Sequence, residues 1–320
     1  MQHAPDPRVA VVVITRNGGH RLARTLDQLI ELPERPRIVV VDNDSTDGTP
    51  ELLRARYPHV RCIELGRNLA AAGRNVGVAA VEAPYVAFAE DDSWYLPGAL
   101  RRTADVLDRH PAVALVNAHV LVGEDARPDP LHEDMVGPAV PDDPGLPGRR
   151  ILSFLEGASI VRRDAYLAVG GFDAQLGPAG PEEHLAAELL SAGWDLRYVP
   201  EVVARHVPDH EEPAPEVRRL GLRNTLWFAW GRRRWRPALR WTVHVIHSSP
   251  PNRATVLGVL DALRGLPRVL LRRRPLPAPV ERQMALLDDS KIRSRARSYG
   301  RERRPAQAVG ITWRAPQARR

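Results

Sequence analysis

The N-terminal part of the chain alternates short apolar runs with longer segments that have helical spacing. The apolar runs, which are rich in β-branched residues, are VAVVVIT (9–15), RIVVVD (37–42), VRCIEL (60–65) and YVAFAE (85–90). Between the first two, HRLARTLDQLIEL places apolar residues three and four positions apart, as expected of a helix with one buried face. Strands that alternate with helices of this length predict an α/β fold with a mostly parallel sheet covered on both faces.

The pattern changes in the later parts of the chain. Residues 97–122 predict a helix followed by a strand, and a Pro/Gly/Asp-rich loop, expected to be mobile, follows over 123–149. Residues 216–271 have helical spacing and are rich in Arg and Trp, whereas 272–320 are rich in Arg and Pro with little periodicity. We therefore expect one α/β domain over 1–215, then a helical extension, then a disordered tail.

The charge is unevenly distributed along the 320 residues. The formal net charge is +7, but residues 272–320 contain 14 basic and 4 acidic side chains, a balance of +10 that leaves −3 for residues 1–271. Binding to nucleic acid or to an anionic membrane would therefore depend on the tail and the helices just before it.

The cysteine content and the start of the chain indicate a compartment. Cys62 is the only cysteine, which excludes an intrachain disulfide and favours a reducing environment. The start lacks a basic leader followed by a long apolar run, and no apolar run approaches the roughly 20 residues of a spanning helix. We expect a cytoplasmic protein, either free or peripheral at the inner face of the membrane.

Three consecutive carboxylates, Glu90, Asp91 and Asp92, follow the fourth predicted strand. Like charges this close repel one another, so the run is either a solvated acidic turn or a cation site. In parallel sheets ligands bind beyond the carboxyl ends of the strands. Carboxylate oxygens suit Mg²⁺ or Mn²⁺, which are commonly shared with substrate phosphates. The run is thus a candidate metal site.

Other polar residues have a structural and a functional interpretation. Asp42 ends the second strand, where it could accept hydrogen bonds from a base or ribose or simply form a turn. Arg74 lies in an alanine-rich stretch and could bind phosphate or face solvent. The sequence contains neither G-x-G-x-x-G nor a P-loop, so a nicotinamide or P-loop site lacks its phosphate-binding motif.

Two further candidates lie towards the C-terminus of the predicted domain. Glu182 and Glu183 stand in a first helical turn, where acidic residues complement the helix dipole. His206 and His210 follow a strand, where a histidine is either structural or a ligand.

Five blocks in the same order resemble the motifs of family 2 glycosyltransferases with the GT-A fold. They are VVVITRNGGHRLARTL, VVVDNDSTDGT, NLAAAGRNVGV, AFAEDDSWYLPGAL and GGFDAQLGPAGPEEHLAAELLSAGWDLRYVP. The second resembles the family's VDNGSTDGT, the fourth stands at its metal-binding D-x-D element, and the fifth resembles its ED-x-DL block. The resemblance covers about residues 8–235 and implies a Rossmann-like, mostly parallel sheet flanked by helices.

The resemblance implies a nucleotide site and a metal site. Thr15 and Asp42 would contact the nucleoside of a sugar-nucleotide donor, and Arg74 would lie near it or its diphosphate. Asp92 with Asp91 would hold Mn²⁺ or Mg²⁺ between the donor's phosphates, which also places Asp91 in the nucleotide-binding set. His206 matches a histidine that supports the metal in some relatives.

The resemblance also implies the catalytic base. Glu182 falls where the family places its base, with Glu183 as the second choice, because Pro181 and His184 depart from the ED-x-DL pattern. Arg16 for the usual Tyr and Glu90 for an Asp are further departures.

The implied activity is inverting, hexosyltransferase-type transfer from a nucleoside-diphosphate sugar to an acceptor hydroxyl. The nucleotide half would span about 8–122 and the acceptor half about 150–210. The acceptor, expected in cell-envelope or glycoconjugate biosynthesis, would be a glycan, a lipid-linked sugar or a small molecule. The alternative is a non-catalytic protein that binds sugar nucleotides or serves as a membrane-associated scaffold.

The Trp- and Arg-rich stretch 224–241 has three interpretations. It packs against the catalytic core, or it rests on an anionic membrane beside a lipid-linked acceptor. Binding nucleic acid together with the tail is the least favoured.

Overall fold

A computed structural model describes residues 5–136, 140–177, 180–208 and 215–293. His210 and residues 294–320 lie outside these ranges. The strands are β1 (Val9–Thr15), β2 (Arg37–Asp42), β3 (Arg61–Glu64), β4 (Tyr85–Glu90), β5 (Ser93–Tyr95), β6 (Val113–Val122), β7 (Arg127–Pro128), β8 (Arg149–Arg150), β9 (Ser159–Arg162) and β10 (Asp195–His206). The helices are α1 (Gly19–Ile30), α2 (Thr49–Arg56), α3 (Gly73–Ala79), α4 (Ala99–Arg109), α5 (Leu131–Val136), α6 (Arg163–Ala168), α7 (Pro181–Ser191), α8 (Pro215–Arg232), α9 (Trp235–Ser248), α10 (Arg253–Leu271) and α11 (Ala278–Arg293).

The strands form one mixed sheet in the order β3-β2-β1-β4-β9-β6-β10-β5, with β7 beside β6 and β8 beside β10. The four N-terminal strands are parallel, which confirms the α/β prediction, whereas β9 runs antiparallel between β4 and β6. Thr15 pairs with Asp42, and Ile14 pairs with Glu90. The carboxyl ends of β2, β1 and β4 therefore meet at one edge.

The apolar core forms two layers, one on each face of the sheet. In β1, Val9, Val11 and Val13 belong to the layer that includes residues of α1 and α4, whereas Ala10 and Val12 belong to the layer that includes residues of α3 and α7. Because this strand is buried on both faces, its sequence is apolar throughout and does not alternate. The sheet edge that carries the polar residues is thus fixed from both sides.

The stretch 123–149, expected to be a mobile loop, contains β7, α5 and β8 in its described part. Arg197 of β10 explains part of this order. Its buried guanidinium donates to the Asp142 carboxylate at 2.7 Å and to the Gly148 carbonyl at 3.1 Å. A fully buried arginine needs such partners, so it fixes the chain that supplies them.

Helices α8, α9 and α10 share an apolar cluster of their own. Its buried members are Leu226, Ala229, Ala238, Trp241, Val245 and Ala262. Among the residues that the structure describes, no helix has both the length and the apolar content needed to cross a membrane.

The expectation of disorder throughout 272–320 does not hold for α11. The buried Arg233 donates to Glu281 at 3.0 Å and to Asp288 at 2.7 Å, and Met284 enters the second core layer. A buried guanidinium without carboxylate partners would be strongly destabilising, so these ion pairs fix the helix against the domain. The Arg- and Pro-rich composition of this segment had predicted disorder, because composition does not show which arginines have buried partners.

Candidate functional site

The acidic run lies in a tight turn between β4 and β5. The backbone N–H of Glu90 donates to Ser93 Oγ at 2.8 Å, and that hydroxyl donates to the Gly157 carbonyl at 3.1 Å. The turn places Asp91 and Asp92 in different surroundings, although they are adjacent in the sequence.

Asp91 is bound by protein partners on the α1 side of the turn. Its carboxylate accepts hydrogen bonds from Thr15 Oγ1 and Arg21 Nε, both at 2.9 Å, and its carbonyl accepts one from Thr25 Oγ1. Burial raises the pKa of Asp91, against the lowering effect of Arg21 and Thr15. A Cβ at Gly18 would lie 2.2 Å from Asp91 Oδ2, so only glycine fits there without a shift. This carboxylate therefore joins β1, α1 and the turn.

Asp92 lies on the other side of the turn with Glu90 and His206. One ligand atom from each lies within 4.8 Å of the others. Asp92 Oδ1 is buried and accepts no hydrogen bond from the described residues, while His206 Nε2 lies 3.5 Å from it. Burial lowers the pKa of His206, but Asp92 and Glu90 outweigh burial and raise it. Two carboxylates and an imidazole form a donor set that suits a divalent metal.

Arg74 is fully buried between two carboxylates. Its Nη1 donates to Glu156 Oε2 at 2.8 Å and its Nη2 to Glu90 Oε1 at 3.0 Å, and its guanidinium lies over the Phe88 and Phe172 rings. Burial opposes the charge of Arg74, but the two carboxylates raise its pKa. Burial also raises the pKa of Glu156 to about 6. Arg74 thus positions Glu90 beside Asp92 and His206.

Asp42 closes the turn after β2. Its two oxygens accept hydrogen bonds from the hydroxyl and the backbone N–H of Ser45. The next residue, Asn43, lines the cleft and binds the backbone of Leu69 and Ala70 at 3.1 Å each. The structure therefore places Asp42 beside the cleft and Asn43 on its wall.

Two adjoining cavities form the cleft. The first, of about 290 Å³, has polar lining residues that include Thr15, Arg16, Asn43, Asn68, Arg74, Asp91 and Asp92. The second, of about 280 Å³, has lining residues that include Ser93, Asp129, Phe154, Glu182, Arg205 and His206. Glu90 and Glu156 line both cavities, so they form the boundary between them. The cluster of Glu90, Asp92 and His206, a candidate metal site, therefore lies where the two cavities meet.

The first turn of α7 carries both base candidates. Gly180, with a φ of 75°, reverses the chain just before the helix. Glu182 lines the second cavity together with His206. Glu183 instead acts electrostatically on His184, whose burial lowers its pKa to about 4 and whose ring stacks edge-on against Phe228. Of the two glutamates, only Glu182 is among the residues that line this cavity.

Sequence patterns did not identify three of these residues. Glu156 lies outside the five blocks, whereas Arg21 and Asn43 lie within the first and second blocks without having been predicted as site residues. Glu156 joins Arg74 across 82 residues, and Arg21 joins Asp91 across 70. The Asn- and Asp-rich turn after β2 did indicate a site, but it predicted Asp42 and not the adjacent Asn43.

Comparison with known proteins places this chain in a family. The model for glycosyl transferase family 2 matches residues 10–169, half of the chain. The N-acetylglucosaminyl-diphospho-decaprenol L-rhamnosyltransferase of Mycobacterium tuberculosis is 30% identical over 271 residues, 73% of this chain and 88% of that protein.

Solved structures show the same fold. A mannosyltransferase from Pyrobaculum calidifontis, in complex with GDP-Man and Mn²⁺, has a TM-score of 0.53 at 19% identity, over 91% of this chain and 88% of that one. The 1–349 fragment of S. aureus TarS has a TM-score of 0.58 at 16% identity, over 91% of this chain and 89% of that fragment. The sheet and its helices are thus of the GT-A type. From the family model and the mycobacterial relative together, we conclude that the chain belongs to glycosyl transferase family 2 and is a glycosyltransferase.

Proposed function

We propose that the protein transfers a sugar from a nucleoside-diphosphate sugar to an acceptor hydroxyl, with inversion, a divalent metal and a glutamate base. The observation that carries this proposal is the cluster of Glu90, Asp92 and His206, with the buried Asp92 Oδ1 that accepts no hydrogen bond from the described residues. A buried carboxylate oxygen without a donor is costly, and a cation removes that cost.

Asp92, Glu90 and His206 would hold Mn²⁺ or Mg²⁺. When bound, the ion supplies positive charge that stabilises the diphosphate leaving group. The P. calidifontis mannosyltransferase was solved in complex with GDP-Man and Mn²⁺, which supports the choice of ion. Asp91, expected from the sequence to share the ion, instead orients the turn through Thr15 and Arg21.

The first cavity is the proposed donor site. Thr15 and Asp91 lie on its wall, Asp42 holds the adjoining turn, and Arg74 contributes cationic charge near the boundary. Because Glu90 and Glu156 are bound to Arg74, their repulsion of a diphosphate is reduced. Thr15, Asp91 and Arg74 therefore line the proposed nucleotide site, and Asp42 supports it from the adjoining turn.

The second cavity is the proposed acceptor site, with Glu182 as its base. As the acceptor oxygen attacks the anomeric carbon, its proton passes to the Glu182 carboxylate. The bond from that carbon to the diphosphate oxygen breaks on the opposite face, so the configuration inverts. Holding both substrates in adjoining cavities supplies much of the remaining rate.

A lipid-linked sugar is the acceptor class that we propose to test first. The mycobacterial relative is named for rhamnosyl transfer to an N-acetylglucosaminyl-diphospho-decaprenol. Deoxyhexose donors therefore belong in the first donor panel, beside hexose and N-acetylhexosamine donors.

The test is release of nucleoside diphosphate from a panel of sugar nucleotides, with Mn²⁺ or with EDTA. Release from at least one donor that requires Mn²⁺ and is lost in Asp92→Asn supports the proposal. Undiminished release in EDTA contradicts the metal role. Donor binding without release or transfer, when polyprenyl-linked acceptors are also supplied, favours a binding protein instead.

A further inference from the structure

Helix α10 carries apolar side chains on two opposite faces. The inner face packs on α8, where Gly258 and Ala262 are buried and Trp227 Nε1 donates to the Ala262 carbonyl at 3.1 Å. The outer face exposes Val256, Leu260, Leu263, Leu270 and Leu271, by 39 to 88%. Successive members of this set are four, three, seven and one residues apart, so they all lie on one side of the helix. A protein surface seldom displays such a row without a partner.

Helix α9 has the same two-sided design. Its buried residues Ala238, Trp241 and Val245 pack in the cluster shared with α8 and α10. Its exposed apolar residues are Trp235, Leu239, Val243 and Ile246, by 42 to 67%. We call the five exposed residues of α10 the apolar face, and these four form a separate exposed apolar stripe on α9.

The two helices meet at both ends. Residues 249–252 connect the end of α9 to the start of α10. At the other end the Arg273 guanidinium lies 4.1 Å from the centre of the Trp235 ring. The helices therefore run antiparallel within one unit, and each presents an apolar stripe to solvent.

Positive charge surrounds the apolar face. Residues 233–277 contain ten arginines and one acidic residue, Asp261. One of the ten, Arg233, is buried and paired with Glu281 and Asp288 of α11, which leaves nine arginines in this segment. Asp261 is already paired, with Arg219 at 2.5 Å and with Arg264 at 3.1 Å. Arg240 contacts Asp289 of α11, an exposed ion pair of little strength. The local balance is strongly cationic, so the partner should be apolar in its interior and anionic at its surface.

Two other partners fit these observations poorly. A second copy of the chain would bring one arginine-rich face against another, and like charges repel. A nucleic acid would complement the arginines, but it would leave the leucine stripes in water. A bilayer with anionic headgroups satisfies both features.

We propose that the apolar face docks on an anionic lipid bilayer, with its apolar side chains at the acyl boundary and its arginines among the headgroups. Arg253, Asp261, Arg264 and Arg268 lie along α10, so the helix cannot be surrounded by hydrocarbon and lies along the surface. Its 19 residues extend over about 28 Å of that surface. The proposal concerns binding alone and does not depend on the transfer reaction.

Sedimentation of the full chain with vesicles tests this proposal. The vesicles are phosphatidylcholine alone, or phosphatidylcholine with phosphatidylglycerol, and contain no sugar substrate. The test variant is Leu260→Gln with Leu263→Gln, whose side chains are 41% and 49% exposed. The matched control is Leu167→Gln on α6, which is 43% exposed and lies outside the apolar face. Circular dichroism and melting temperature confirm that each variant folds.

We expect the wild type and Leu167→Gln to sediment with anionic vesicles, and the double variant to bind about tenfold more weakly. Residues 294–320 contain eight arginines and one glutamate, so binding by this segment alone would survive in the double variant. Equal binding of wild type and double variant therefore overturns the proposal, as does equal binding to neutral vesicles. Dimerisation of the wild type that the double variant abolishes, without vesicle binding, would also overturn it.

Discussion

Asp91 and Asp92 are adjacent in the sequence but have different partners on the two sides of the β4–β5 turn. On the α1 side, Asp91 accepts hydrogen bonds from Thr15 and Arg21. On the β10 side, Asp92 Oδ1 is buried without a hydrogen bond from the described residues, 3.5 Å from His206. Asp91 thus has two hydrogen-bond donors within the protein, whereas Asp92 has His206 at ion-pair distance and lies in a cluster with Glu90. Adjacent residues of one type can therefore differ in their surroundings, and we propose that Asp91 is structural and Asp92 a metal ligand.

The largest expected effect separates these two aspartates. Asp92→Asn should lower transfer about 1000-fold, because it removes a metal ligand while keeping the size of the side chain. Its melting temperature should remain close to that of the wild type. Turnover with each donor, with Mn²⁺ and after EDTA treatment, measures the effect. A fully active Asp92→Asn would show that the two sides do not differ in this way.

The second effect concerns the glutamates of α7. Glu182→Gln should keep donor binding and lower transfer by about 10²–10⁴-fold, the usual contribution of a general base. Glu183→Gln is the matched control and should retain most activity, since Glu182 lines the second cavity and Glu183 acts on His184. Steady-state transfer rates decide between them. If Glu183→Gln is the inactive variant instead, the base is Glu183 and not Glu182.

The third effect is on stability. Arg74→Met keeps an apolar stem between the Phe88 and Phe172 rings but leaves Glu90 and Glu156 without their cation. Removing one partner of a buried ion pair costs about 3–5 kcal/mol. Denaturant unfolding monitors the loss. Arg74→Lys should recover part of it, because a lysine keeps the charge without the two-sided geometry.

The smallest expected effect concerns Asp91, whose carboxylate is hydrogen-bonded within the protein. Asp91→Asn should lower the free energy of unfolding by about 1 kcal/mol, because the amide keeps an acceptor for Thr15 but loses the charge opposite Arg21. Mn²⁺ binding should persist, with activity reduced less than in Asp92→Asn. Loss of Mn²⁺ binding in Asp91→Asn would place this carboxylate in the metal shell after all.

The sheet edge was predictable because it depends on local patterns. The β-branched runs that end at Thr15, Asp42 and Glu90 became β1, β2 and β4 with their carboxyl ends together. The different surroundings of Asp91 and Asp92 were not predictable, because they depend on partners that are distant in the sequence. Arg21 lies 70 residues from Asp91, and His206 arrives from β10.

Helix α11 was missed for a similar reason. Its segment is rich in charge and proline, and its order rests on Arg233, which precedes Asp288 by 55 residues. Local propensity cannot predict a buried ion pair between residues so far apart in the sequence. Composition alone therefore does not predict α11, because the order of this helix depends on tertiary contacts.

Anomalous scattering from Mn²⁺ in crystals soaked with the ion and a nucleoside diphosphate tests the central claim most directly. We predict one peak bounded by Glu90, Asp92 and His206, with the diphosphate in the first cavity, and no such peak in Asp92→Asn crystals. A peak bounded by other residues, or none at these three in the wild type with the diphosphate bound, would contradict the account.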